Sequence, residues 1–100
     1  MQVQYKATGI EMTDAIAQHL EKRCAFVEKF THGEGRVFAE VSRTTQHHKS
    51  GDIFRCELQC EAPGMMVRAE AETSDLYKAI DLAKDDLERQ IVKHKEKHAG

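Results

Sequence analysis

The sequence predicts an α+β domain: a β-α-β-β-β-α two-layer sandwich with a four-stranded mixed sheet and both helices on one face. Three observations lead there. Four short segments alternate apolar and polar residues, the period of a half-buried strand. Two longer segments repeat apolar residues every three or four positions, the period of a helix with one buried stripe. And 100 residues suffice for a single hydrophobic core.

The first strand is QVQYKAT (2–8), where Val3, Tyr5 and Ala7 alternate with Gln4 and Lys6 until Gly9 ends it. Thr13 or Asp14 offers an N-cap oxygen. Ile16, Leu20, Cys24, Val27 and Phe30 follow at helical spacing, which predicts one helix to about Phe30, stopped by His32-Gly33-Glu34-Gly35. Residues 36–45 place Val37, Ala39 and Val41 on one face of a second strand, and TQHHKSGD (45–52) is a polar loop. The third strand, 53–61, buries Phe54, Cys56, Leu58 and Cys60 and turns Arg55, Glu57, Gln59 and Glu61 outward. After Ala62-Pro63-Gly64, Met65, Val67, Ala69 and Ala71 alternate with Met66, Arg68, Glu70 and Glu72 in a fourth.

Ser74 is the expected cap of the last helix, with Asp75 in its first turn and Leu76, Ile80, Ala83, Leu87 and Ile91 as its stripe. A helix between the first two strands suits parallel pairing, and the short connections afterwards suit an antiparallel meander. Leu20, Val27, Val41, Leu58, Val67, Ile80 and Leu87 are the expected core.

The net charge of −2 hides segregation along the chain. The stretch LERQIVKHKEK (87–97) gathers Arg89, Lys93, Lys95 and Lys97, whereas Glu57, Glu61, Glu70 and Glu72 fall on outward strand positions as an acidic sheet face. At about 100° per residue, Arg89, Lys93 and Lys97 form one ridge on the last helix, with Lys78 on the same side earlier. On the first helix Lys22 and Lys29 share a flank with Phe26 and His19, and Arg23 lies nearer the stripe. Cations interleaved with an aromatic suit a phosphate backbone.

Other chemistry finds little support. Cys56 and Cys60 in one strand are roughly 13 Å apart, too far for a disulfide, so Cys24, Cys56 and Cys60 read as buried free thiols. His47-His48 and His94/His98 supply too few converging ligands for zinc, so no metal site is expected. No glycine-rich phosphate loop follows a strand, and no Ser or Cys has an identifiable base. The expectation is a cytoplasmic protein that is not an enzyme, with no catalytic residue, no cofactor, no small-molecule substrate and no membrane partner.

IEMTDAI (10–16), DLYKAID (75–81) and LERQIVKHKEK (87–97) resemble, in order and spacing, the ribosome hibernation-promoting factor and ribosome-associated inhibitor family, also called sigma-54 modulation or ribosomal subunit interface proteins. The resemblance covers residues 1–98 and implies one ribosome-binding domain whose layout is similar to double-stranded-RNA-binding domains. It implies a translation inhibitor that binds the small ribosomal subunit and its rRNA in the mRNA–tRNA channel under stress, through basic helix surfaces. Carried onto this sequence, the matching basic positions are Arg23, Lys29, Arg43, Arg89, Lys93, Lys95 and Lys97. Ala17, Phe26 and Asp86 stand where relatives often carry a basic residue. The competing reading is a protein-interaction module that regulates transcription or another partner through the acidic sheet face.

Overall fold

Strand β1 (Gln2–Thr8) leads through Thr13 into helix α1 (Asp14–Cys24), because the Thr13 hydroxyl accepts the Ile16 N–H at 3.1 Å and satisfies a free donor of the first turn. The computed structural model describes residues 1–45 and 51–98, so His47, His48 and Lys49 of the predicted loop lie outside the described residues. The single helix expected up to Phe30 is divided. At Ala25 the N–H turns to the Lys22 carbonyl (3.4 Å), one residue short of the α-helical partner, and α2 (Phe26–Thr31) starts there. It ends at His32 in the left-handed conformation (φ 53°), backed by Gly33.

β2 (Arg36–Thr45), β3 (Asp52–Ala62) and β4 (Met65–Thr73) complete the sheet, and α3 (Leu76–His98) closes the chain. The cap of α3 is Asp75 and not Ser74. Its Oδ1 accepts the N–H groups of Tyr77 (2.9 Å) and Lys78 (3.3 Å), placing a negative charge at the positive end of the helix. Strand order is β1-β2-β3-β4, with β1 parallel to β2 and the other pairs antiparallel. A single layer of helices covers one face, as the alternation of each strand predicts.

Leu20, Val27, Val41, Leu58, Ile80 and Leu87 are fully buried in one continuous core. Each such aliphatic side chain removed from water contributes about 1.5–3 kcal/mol. Three positions differ from expectation. Val67 and Phe54 are half-buried at the core's margin and Tyr5 is exposed, because β4 and β1 are the sheet's edges, Phe54 lies near the start of β3, and the helices cover these places incompletely. Cys24, Cys56 and Cys60 are free thiols inside the core, and burial pushes Cys24 and Cys56 up to about 12 and Cys60 upward as well.

Candidate nucleic-acid interface

The helical layer carries the expected cations in two strips, one on each flank of α3. The flank of α3 that faces α1 presents Tyr77, Asp81 and Lys84. Arg23 Nε and His19 Nε2, both from α1, each lie 2.8 Å from the same Asp81 oxygen, with the Tyr77 ring edge-on to His19 at 5.0 Å. Tyr77 is 42% exposed and closes the seam between the two helices. Partial burial pushes the Asp81 carboxyl up, but the hydrogen bonds and charge of His19 and Arg23 outweigh it and hold the group below the usual carboxylate value.

Lys84 sits deeper in the same seam. Its Nζ donates to Glu88 at 2.7 Å and lies 5.4 Å from the centre of the Phe26 ring. The bond to Glu88 raises its pKa against an opposing desolvation. Sequence reasoning passed over Lys84, although its i,i+4 spacing to Glu88 was a visible signal. Phe26 itself is packed edge-to-face on Phe30.

The opposite flank of α3, over β4, carries the ridge. Arg89 and Lys93 line a shallow groove of about 420 Å³ with Asp86, Gln90, Val92 and Glu96. Gln90 Nε2 donates to the Arg68 carbonyl of β4 at 2.7 Å, so this flank is pinned to the sheet edge. Arg89 donates to Asp86 at 3.0 Å. Lys22, Lys29, Lys78, Lys93, Lys95 and Lys97 are all exposed and form no ion pair among the described residues.

Along the long axis the same cations separate into two ends. The last turns of α2 and α3 meet the β3–β4 turn around an open cleft of about 530 Å³ lined by Phe30, His32, Pro63, Met65, His94 and Lys95. Lys29, Lys93, Lys95 and Lys97 therefore belong to this end. Arg43 lies at the other, in one cross-strand row with Phe54 and Thr73, the last residue of β4 before the chain enters α3, whose first turn carries Lys78. Its strand phase matches Val37, Ala39 and Val41, which places it on the helix-bearing face. Gly9 (φ +71°) backs onto it so closely that a Cβ there would lie 2.6 Å from the Arg43 carbonyl oxygen.

The outer sheet face departs from the acidic surface expected. Lys6, Arg36, Arg55 and Arg68 stand among Glu40, Glu57, Glu61, Glu70 and Glu72 on that face. Arg55 bridges Glu70, Glu57 (3.7 Å) and Glu72 (3.9 Å), and Arg68 reaches Glu57 at 3.2 Å. The register puts Glu57 directly opposite Glu40 and Glu70, a repulsion that Arg55, Arg68 and Lys6 offset. The face is thereby nearly balanced. Among the described residues no group of three or more His, Cys, Asp or Glu converges to hold a metal, and no helix is long and apolar enough to cross a membrane.

Over residues 3–99 the chain matches the family described as Sigma 54 modulation protein / S30EA ribosomal protein. It belongs to that family. This S30EA-family chain is 34% identical over 97 residues to the ribosome hibernation promoting factor of Azotobacter vinelandii, spanning 97% of this chain and 85% of that protein. It is 33% identical over 97 residues to the ribosome hibernation promotion factor of Bacillus subtilis, spanning 97% of this chain but 50% of that relative, about half its length. The N-terminal domain of Protein Y from Thermus thermophilus superimposes with a TM-score of 0.77 at 35% identity, covering 94% of this chain and 99% of that one. A ribosomal subunit interface protein from Coxiella burnetii shares the fold, with a TM-score of 0.80 at 23% identity over 96% and 99% of the two chains.

Proposed function

We propose that residues 1–98 of this S30EA-family chain form a ribosome-binding domain that inhibits translation under stress. It docks in the cytoplasm on the small ribosomal subunit, in the channel used by mRNA and tRNA, and its helical layer faces the rRNA. Family membership over residues 3–99 carries the reading. The contact groups are Lys22, Arg23, Lys29, Arg43, Lys78, Arg89, Lys93, Lys95 and Lys97. The unpaired lysines among them support the assignment, because a cation without an internal partner breaks no ion pair on meeting a phosphate.

The mechanism is electrostatic docking without chemistry. Each neutralised phosphate releases condensed counterion, so affinity falls steeply with salt. Phosphate contacts carry no base code, and selectivity comes from the fit of the helical layer to the shape of folded RNA. A bound domain in the channel excludes mRNA and tRNA sterically.

Co-sedimentation with purified small subunits tests this. Arg89→Glu with Lys93→Glu should abolish most binding at moderate salt while circular dichroism stays native. Glu57→Lys with Glu70→Lys, on the outer face, should leave binding intact. Helix reversals without effect would remove the RNA-facing assignment and leave the protein-interaction reading in its place.

A further inference from the structure

Arg89, on the strip that the ribosome-binding reading sets against RNA, is already occupied by its own helix. Its Nη2 donates to Asp86 Oδ1 at 3.0 Å. The second carboxylate oxygen of Asp86 accepts from Gln90 Nε2 at 3.1 Å, and that same amide nitrogen donates to the Arg68 carbonyl at 2.7 Å. Asp86 is therefore anchored from behind, through Gln90, to the backbone of β4. It cannot swing away from Arg89 without giving up the bond to Gln90.

A carboxylate and a phosphate compete for the same guanidinium donors. A phosphate arriving at Arg89 must share those donors with a fixed anion or displace it. The opposite effect, in which Asp86 orders Arg89 for binding, is weak. Arg89 remains 76% exposed, so the pair restricts a solvated side chain that nothing else packs.

We infer that Asp86 is an affinity-limiting residue, an internal anion that takes the place of a phosphate on Arg89 and holds ribosome binding below what the cations of the strip would otherwise reach. The inference rests on the ribosome-binding reading. Its functional consequence is release: a domain that blocks the channel must leave when translation resumes, and a built-in competitor makes the bound state easier to reverse.

The test is an equilibrium sedimentation series with purified small ribosomal subunits at low and moderate salt. Asp86→Asn keeps a carbonyl oxygen for Gln90 and removes the charge. Asp85→Asn removes the same charge one residue away, where the carboxylate lies 3.7 Å from Lys84 and does not touch Arg89. Asp86→Asn should bind about 3- to 10-fold tighter than wild type at low salt, the gain shrinking as salt rises. Asp85→Asn should stay within about 2-fold, and an Arg89→Ala background should cancel the advantage of Asp86→Asn. Equal gains from Asp85→Asn and Asp86→Asn, a gain that survives Arg89→Ala, or weaker binding by Asp86→Asn would each overturn the inference while leaving the ribosome-binding reading in place. Failure of the wild-type chain to sediment with subunits at low salt defeats that reading, and this inference with it.

Discussion

Arg23 Nε lies 2.8 Å from Asp81 Oδ1, an ion pair that fastens the first helix to the last. His19 reaches the same oxygen, so one carboxylate holds two side chains of α1. The clasp ties the Nε of Arg23 to Asp81 while the side chain stays exposed, and it fixes the spacing of the two helices that carry the cations.

Asp81→Ala should lower stability by about 1 kcal/mol in urea titrations, a modest figure because the Arg23 and Asp81 side chains are 43% and 38% exposed. The pH dependence follows from the depressed carboxyl. A group held lower in the folded than in the unfolded chain stabilises above the unfolded value, about 3.9, and loses that contribution as pH falls through the folded value. Wild type should therefore lose stability more steeply than Asp81→Ala as pH drops from about 5 toward 3. Parallel curves would show that Asp81 is not the group responsible.

Leu87→Ala should cost about 2–5 kcal/mol, since the side chain is fully buried between α3 and the sheet and its loss leaves a cavity. Leu82→Ala on the same helix, 44% exposed, should change stability by about 0.5 kcal/mol or less. Denaturation midpoints of similar size for the two would contradict the assigned face of α3.

Gly9 and Gly64 both have positive φ, +71° and +74°, but only Gly9 has backbone against it. Gly64→Ala should cost about 1 kcal/mol for the backbone conformation alone. Gly9→Ala adds a collision with the Arg43 carbonyl and should cost about 2–4 kcal/mol, with shifted amide signals in the strand around Arg43. Equal costs would mean that β2 yields freely at Arg43.

The thiols offer a check on the core. Burial pushes Cys24 and Cys56 up to about 12, so little thiolate exists near pH 8. A maleimide should label the native chain slowly and all three cysteines rapidly in denaturant. Fast native labelling would place a thiol at the surface.

The two cationic strips can be weighed separately. Lys22→Glu with Lys29→Glu should weaken sedimentation with small subunits, as should Arg89→Glu with Lys93→Glu, each by about tenfold or more at low salt. Because the strips lie on opposite flanks of α3 and share no ion pair, their effects should nearly add. A null result for one pair would confine the contact to the other strip.

Much of this was readable in advance. The alternation of Cys56, Leu58 and Cys60 named the inner face of β3, and the spacing of Leu76, Ile80, Leu87 and Ile91 named the buried stripe of α3. The cap of α3 was missed by one residue because Ser74 and Asp75 are both good capping types, and only the hydrogen bonds to Tyr77 and Lys78 separate them. The break at Ala25 left no mark either, since Cys24 and Val27 fit one continuous stripe equally well. Arg55 and Arg68 are visible at outward positions beside Glu57, Glu70 and Glu72, but which carboxylates they neutralise, within and across β3 and β4, is set by the pairing register.

Strand and helix order, the buried faces and the family were determined by the chain's residues alone, because periodicity and motif spacing are local properties that survive without coordinates. Which cations remain free was decided only by folding. Arg23 loses its freedom to Asp81, and His19 meets that same carboxylate across 62 positions of sequence. Lys84 is drawn into the seam over Phe26, whereas Lys22 and Lys93 stay solvated on opposite flanks. The reason is physical: a charge's partner is set by distances of a few ångströms between side chains, and those distances exist only once α1 and α3 lie side by side on the sheet.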